Sequence, residues 1–161
     1  MERKLDMMTD EYPQADMEMT VTWGDSDPAG ISYYARTFDW FTNARMHFFA
    51  EYGFPYIETF HKKGVALVCL HADCDYKKMV RPGEPITVRA TLTNLTRTRL
   101  AIQYRVFKHN GELAEMGETT HTYADNDGKP FNLKRRYPKL WDELMDKWPV
   151  FGNLASGLSN Q

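Results

Sequence analysis

Between residues 17 and 23, apolar Met17, Met19, Val21 and Trp23 alternate with Glu18, Thr20 and Thr22, the period-two signature of a half-buried strand. From residue 34 to 52 the period changes. Phe38, Phe41, Ala44, Phe48 and Tyr52 recur at helical spacing, and Trp40, Met46 and Phe49 widen the apolar surface past one stripe. The pattern predicts a long helix buried on several sides. Gly53 suits its C-terminal cap, and Pro55 prevents continuation. Period two returns over residues 65–79, 86–95, 100–107 and 113–124. The breaks between these runs carry turn residues: Arg81-Pro82-Gly83-Glu84-Pro85, Asn110-Gly111, and Asp125-Asn126-Asp127-Gly128-Lys129-Pro130. A short closing helix is expected over residues 138–148, with Leu140, Trp141, Leu144, Met145 and Trp148 on one side.

One strand, one long helix and four hairpin-connected strands imply an α+β fold with an antiparallel sheet of about five strands. Only one long helix is available to cover that sheet, so a curved sheet wrapped around the helix is expected. The length, 161 residues, favours a single domain. The domain is expected over residues 16–150, between a flexible arm at 1–15 and a flexible tail at 151–161.

Charge narrows the partners. A formal net charge of −2 gives no reason to expect nucleic acid. No apolar run approaches the roughly 20 residues of a membrane span, and residues 1–6 lack the apolar core of a signal peptide. A cytoplasmic protein is expected. Cys69 and Cys74 are five apart on one predicted strand, which points them to opposite faces as buried free thiols. His47, His61, His71, His109 and His121 are scattered without metal-ligand spacing, so no metal is expected; His71 and His121 read as core or surface residues.

The candidate chemistry lies in the run Trp23-Gly24-Asp25-Ser26-Asp27-Pro28-Ala29-Gly30-Ile31-Ser32-Tyr33-Tyr34. It sets two carboxylates beside a turn, immediately before the predicted helix. The first amides of a helix are unpaired and carry the positive end of its dipole. An acid beside oriented donors is what hydrolysis of an activated acyl group requires. Taken alone, Asp27 reads equally as a turn cap. Asp25 is expected to be the structural member of the pair, bonding loop amides.

The run from Gly24 to Ile31, continuing through Tyr34, resembles the hotdog-fold acyl-CoA thioesterases of the 4-hydroxybenzoyl-CoA thioesterase type. Arg81-Pro82-Gly83, Arg97-Thr98-Arg99 and Asp127-Gly128-Lys129-Pro130 follow in the same order, so the likeness covers roughly residues 17–138. The resemblance implies hydrolysis of an acyl-CoA thioester, with Asp27 as the catalytic carboxylate and the backbone N–H of Tyr34 polarising the thioester carbonyl. It implies no cofactor, coenzyme A being part of the substrate. It also implies subunits paired so that two sheets join, as a homodimer or homotetramer with active sites at the subunit interface. Many relatives carry His just after the Gly of this motif; here Ile31 stands there, so the chemistry falls on Asp27 and an aromatic acyl group is favoured.

Other positions carry two readings each. Gly30 in the turn, and Phe38 and Thr42 one and two turns into the helix, are expected to contact the acyl group, although aromatic helix positions are ordinarily core. Arg97 and Arg99 share a strand face, either as solvated charge or as a clamp for the phosphates of coenzyme A. Lys77, Lys78 and Arg81 read as surface. Three further functions compete with CoA-ester hydrolysis: a non-catalytic acyl-CoA-binding module, a thioesterase acting on a carrier-protein thioester, and an enoyl-thioester hydratase. The hydratase would need His where Ser32 stands.

Overall fold

The computed structural model describes residues 11–152. Residues 1–10 of the expected arm and 153–161 of the expected tail lie outside them. Five strands form one antiparallel sheet: β1 (Gln14–Thr20), β2 (Ala66–Tyr76), β3 (Pro85–Leu95), β4 (Arg99–Lys108) and β5 (Leu113–Ala124), in the order β1-β3-β4-β5-β2. The long helix α1 (Arg36–Glu51) follows β1 and packs on one face of the sheet. Short helices α2 (Tyr56–Thr59) and α3 (Leu133–Arg136), and the closing helix α4 (Pro138–Lys147), complete the elements. This is the expected α+β hotdog arrangement.

The packing of α1 follows from spacing. Thr37, Trp40, Phe41, Ala44, Phe48 and Phe49 are buried, whereas Asp39, Thr42 and Asn43 are exposed. The helix therefore buries one face, not several. Phe41 lies flat on Tyr104 of β4, with ring centroids 4.3 Å apart and planes 5° from parallel. Gly117 of β5 makes room for it. A Cβ there would overlap the Asp73 carbonyl oxygen and come within 2.7 Å of the Phe41 ring. At its other end α1 is capped by Gly53, whose φ of 84° is left-handed, and the Phe54 N–H reaches the Phe49 carbonyl at 2.8 Å. Trp148, after α4, stacks on Phe48, and Phe151 is buried beside Tyr12. Phe151 thus packs into the domain.

Three local expectations change. β1 begins at Gln14, whose N–H is 3.1 Å from the Tyr52 hydroxyl, and it ends at Thr20. Gln14 and Ala15 are thus strand, not arm. Beyond β1, Val21 pairs with Gly83 and Glu84, and Trp23 enters a one-turn 3-10 helix with its side chain 79% exposed. β2 stops at Tyr76, short of Met79. Its register against β5 slips between Cys69 and His71. Cys69 faces His121 and Cys74 faces Gly117, and these partners are four apart on β5, so the bulge turns both thiols to the same face. Neither is fully buried; Cys69 is exposed and Cys74 is half-buried.

β2 is an edge strand of eleven residues. Val68, Leu70 and Tyr76 on it are 42%, 48% and 47% exposed, unusual for large apolar side chains along a free sheet edge.

Candidate active site

The Asp–Pro–Ala–Gly turn is a tight hairpin. The Asp27 N–H donates to the Ile31 carbonyl at 2.9 Å, the Gly30 N–H donates to the Asp27 carbonyl at 3.0 Å, and Ser26 bridges Ser32. Pro28 supplies the fixed φ that opens the turn, and Gly30 takes the left-handed position at φ 75°. No atom lies near the place of a Gly30 Cβ, so backbone conformation alone calls for glycine there. Asp27 is half-buried, and its Oδ1 accepts the Ala29 N–H at 2.8 Å. The turn-capping reading is therefore real. It occupies one oxygen and leaves the other without a protein partner among the described residues. Asp25 has the structural role expected of it: its Oδ2 accepts from the Thr22 N–H at 3.0 Å and the Thr22 hydroxyl at 2.8 Å.

The return arm of the hairpin docks on the sheet. The Ser32 N–H donates to the Val80 carbonyl at 2.8 Å, and the Tyr33 N–H to the Asp25 carbonyl at 2.6 Å. Ile31, Ser32 and Tyr34 then wall a cavity of about 270 Å³ with residues 76–80 and Glu115. The expected helix start at Tyr34 moves to Arg36; Tyr34 lies in the turn leading into α1. Its N–H has no acceptor among the described residues. Its carbonyl accepts a 2.5 Å hydrogen bond from the Tyr76 hydroxyl. Burial raises the Tyr76 phenol to about 12, so it stays a donor across the neutral range.

Glu115 is the member of this cavity that the alternation along β5 conceals. It stands opposite Tyr76 in the β2–β5 ladder and is 1% exposed. The Thr37 hydroxyl, in the first turn of α1, donates to its Oε1 at 2.6 Å, and Oε2 has no partner. Burial raises its carboxyl above the usual Glu value, with the Thr37 bond as a partial offset. Cys74, on the same face of β2, is pushed to about 12 by burial and then by the nearby Glu115 charge.

A second polar group lies under α1. Arg45 Nη1 donates to the Tyr104 hydroxyl at 2.9 Å, that hydroxyl meets Thr119 Oγ1 at 2.7 Å, and His121 Nε2 meets Thr119 Oγ1 at 2.9 Å. His121 is lowered to about 4, by burial first and then by the Arg45 charge. Among the described residues no three His, Cys, Asp or Glu side chains are grouped to hold a metal. Among the described residues no helix is long and apolar enough to cross a membrane.

The remaining expected residues are dispersed. Phe38 is half-buried, edge-on to Phe41. Thr42 is exposed and bonds its own helix at the Phe38 carbonyl, 3.0 Å away. Arg97 and Arg99 are exposed at the β3–β4 turn. Lys108, at the other end of β4, donates to the Met79 carbonyl beside the cavity at 2.6 Å. Arg99 and Lys108 are the two ends of the ten-residue β4, roughly 30 Å apart. One chain therefore does not bring Arg97 and Arg99 to the Asp27 hairpin. A larger groove of about 520 Å³, from Glu18 to His109, contains none of the expected residues.

The family model described as thioesterase-like superfamily matches residues 21–148. The chain belongs to the thioesterase-like superfamily. As a member it is a thioester hydrolase. It is similar to YneP of Bacillus subtilis strain 168, provisionally named an acyl-CoA thioesterase, with 25% identity over 81% of this chain and 94% of that protein. It is 28% identical to a 1,4-dihydroxy-2-naphthoyl-CoA hydrolase of Synechococcus elongatus, over 65% of this chain and 76% of that one. Among solved structures it superposes on a DHNA-CoA thioesterase from Staphylococcus aureus with a TM-score of 0.79 and 26% identity, covering 87% of this chain and 93% of the other.

Proposed function

We propose that the protein hydrolyses acyl-CoA thioesters, with an aromatic acyl group preferred, in the cavity beside the Asp27 hairpin. The reading rests on one observation: the arm that returns from Asp27 forms a wall of the cavity that also holds Tyr34, whose N–H is free to donate. The Ala29 N–H orients the Asp27 carboxylate, and its second oxygen is available to act. Either that oxygen attacks the thioester carbonyl, expelling the CoA thiolate and leaving a mixed anhydride for water to cleave, or it takes a proton from a water that attacks directly. The Tyr34 N–H meets the negative charge that develops on the carbonyl oxygen. The Tyr76 hydroxyl, bonded to the Tyr34 carbonyl, orients that same peptide segment.

The exposed β2 edge supports assembly with a second copy. An antiparallel junction of two β2 edges reverses strand direction. The Arg99 end of one sheet then meets the Tyr76 end of the other, and Arg97 and Arg99 serve the partner's cavity as a phosphate clamp. Their distance from Asp27 within one chain favours a second reading of the donor, a carrier-protein thioester that needs no clamp. Thiol release from benzoyl-CoA, aliphatic acyl-CoA and the matching acyl-carrier-protein esters separates the two. Faster release from aryl-CoA supports the proposal; release only from the carrier protein would replace it.

A further inference from the structure

The unpartnered oxygen of Glu115 is unusual because buried carboxyl groups are normally satisfied on both oxygens. The neighbours that could bond it are engaged elsewhere. The Tyr76 hydroxyl is held by the Tyr34 carbonyl, Lys78 Nζ is 3.7 Å from Glu112, and the Cys74 thiol turns to the Asp75 carbonyl. Thr37 holds the other oxygen, fixing the carboxyl from the first turn of α1. The unsatisfied atom belongs to a residue that lines the cavity. A site of this kind is completed by its ligand.

We infer that Glu115, clamped by Thr37, selects the acyl group by presenting its unpartnered carboxyl oxygen to a hydroxyl that the acyl group carries into the cavity. The inference rests on the hydrolase reading above and adds a specificity residue to it. The burial also disfavours the charged form of the carboxyl. Oε1 accepts from Thr37, and Oε2 is left to share a hydrogen bond with the acyl hydroxyl. An acyl group without a hydroxyl leaves the carboxyl unsatisfied and pays its desolvation. Glu115 is therefore a recognition group and Asp27 the reacting one.

The test uses the full-length protein with benzoyl-CoA against its ortho-, meta- and para-hydroxy derivatives, and butyryl-CoA against β-hydroxybutyryl-CoA. Binding of the matching thioether analogues, which cannot be hydrolysed, is measured in parallel by calorimetry. At least one hydroxy ester should exceed its plain counterpart in kcat/KM by about tenfold or more. Glu115→Met should bring that ratio to within about twofold of unity, whereas Glu115→Gln, an uncharged isostere that still accepts from Thr37 and donates, should keep most of it. Equal turnover of every pair by the natural protein would overturn the inference and leave the hydrolase reading standing. Discrimination among the analogues without turnover of any ester would do the reverse. Preference retained in Glu115→Met, or turnover abolished in Glu115→Gln, would also overturn it, the latter by making Glu115 a base. Because Glu115→Gln keeps the shape and the Thr37 bond, it remains informative if Glu115→Met does not fold.

Discussion

The Tyr76 hydroxyl bonds the Tyr34 carbonyl at 2.5 Å across 42 residues of sequence, fastening the end of β2 to the turn that starts α1. The Tyr34 N–H belongs to the same turn, so this bond bears on the placement of the proposed oxyanion donor. Tyr76→Phe removes the bond together with the hydroxyl's interactions with Thr37 and Cys74. We expect a loss of about 0.5–1.5 kcal/mol in stability. Turnover should fall while KM changes little, because a displaced oxyanion donor acts on the transition state. Thermal melts and steady-state kinetics check both. Unaltered turnover would detach Tyr76 from the site.

Gly117 tests the packing of α1 on the sheet. Alanine there would collide with the Asp73 backbone and the stacked Phe41 ring, neither of which is the far end of a flexible chain. Overpacking of this kind costs about 1–3 kcal/mol and sometimes more. Gly117→Ala should lower the denaturation midpoint accordingly. A melt unchanged from the natural protein would mean that α1 sits further from β5 than described.

His121 makes a prediction about pH. Its folded value is about 4, below the ordinary 6.5. Between those values the unfolded chain holds the extra proton, so stability should fall as pH drops from about 6.5 to about 4 and flatten below. For so buried a group the loss is roughly 3 kcal/mol. Glu115 acts with the opposite sign: its raised carboxyl favours folding at low pH and loses that contribution as pH rises. Comparing the natural protein with His121→Gln isolates the histidine. Denaturant melts at a series of pH values should show a shallower acid loss in the variant; identical slopes would contradict the buried neutral imidazole.

Leu70 stands at the bulge of the free β2 edge, 48% exposed. If two edges join, Leu70→Lys places like charges at the junction. Light scattering should report a dimer or larger assembly for the natural protein and a shift toward monomer for the variant. A monomeric natural protein would remove the shared-site geometry and the clamp assigned to Arg97 and Arg99.

Much of the fold was legible because its signals are local. Period two marked the strands, helical spacing marked α1, and Asp27-Pro28-Ala29-Gly30 encodes its hairpin through proline at one position and a left-handed glycine at another. What escaped depends on pairing between distant segments. Glu115 reads along the chain as one polar residue on an alternating strand; only the fold brings Thr37, 78 residues earlier, onto its oxygen. The Leu70 bulge carries no glycine to announce it, so counting by twos sent Cys69 and Cys74 to opposite faces when register unites them. Trp23 and Tyr34 look like core by type. They are 79% and 63% exposed, Trp23 in the one-turn 3-10 helix before the hairpin and Tyr34 in the turn leading into α1. The catalytic role proposed for Asp27 comes only through resemblance, since capping its own turn explains the same residue.

The central claim is that Asp27 does chemistry beyond capping. Replacing it with asparagine keeps an oxygen to accept the Ala29 N–H, so the hairpin and the melting temperature should persist, while the nucleophile or base is lost. Thiol release from the best aryl-CoA ester by Asp27→Asn should fall by about 10²–10⁴-fold with CoA-ester binding retained. Turnover within about threefold of the natural protein, in a variant that melts normally, would contradict the account.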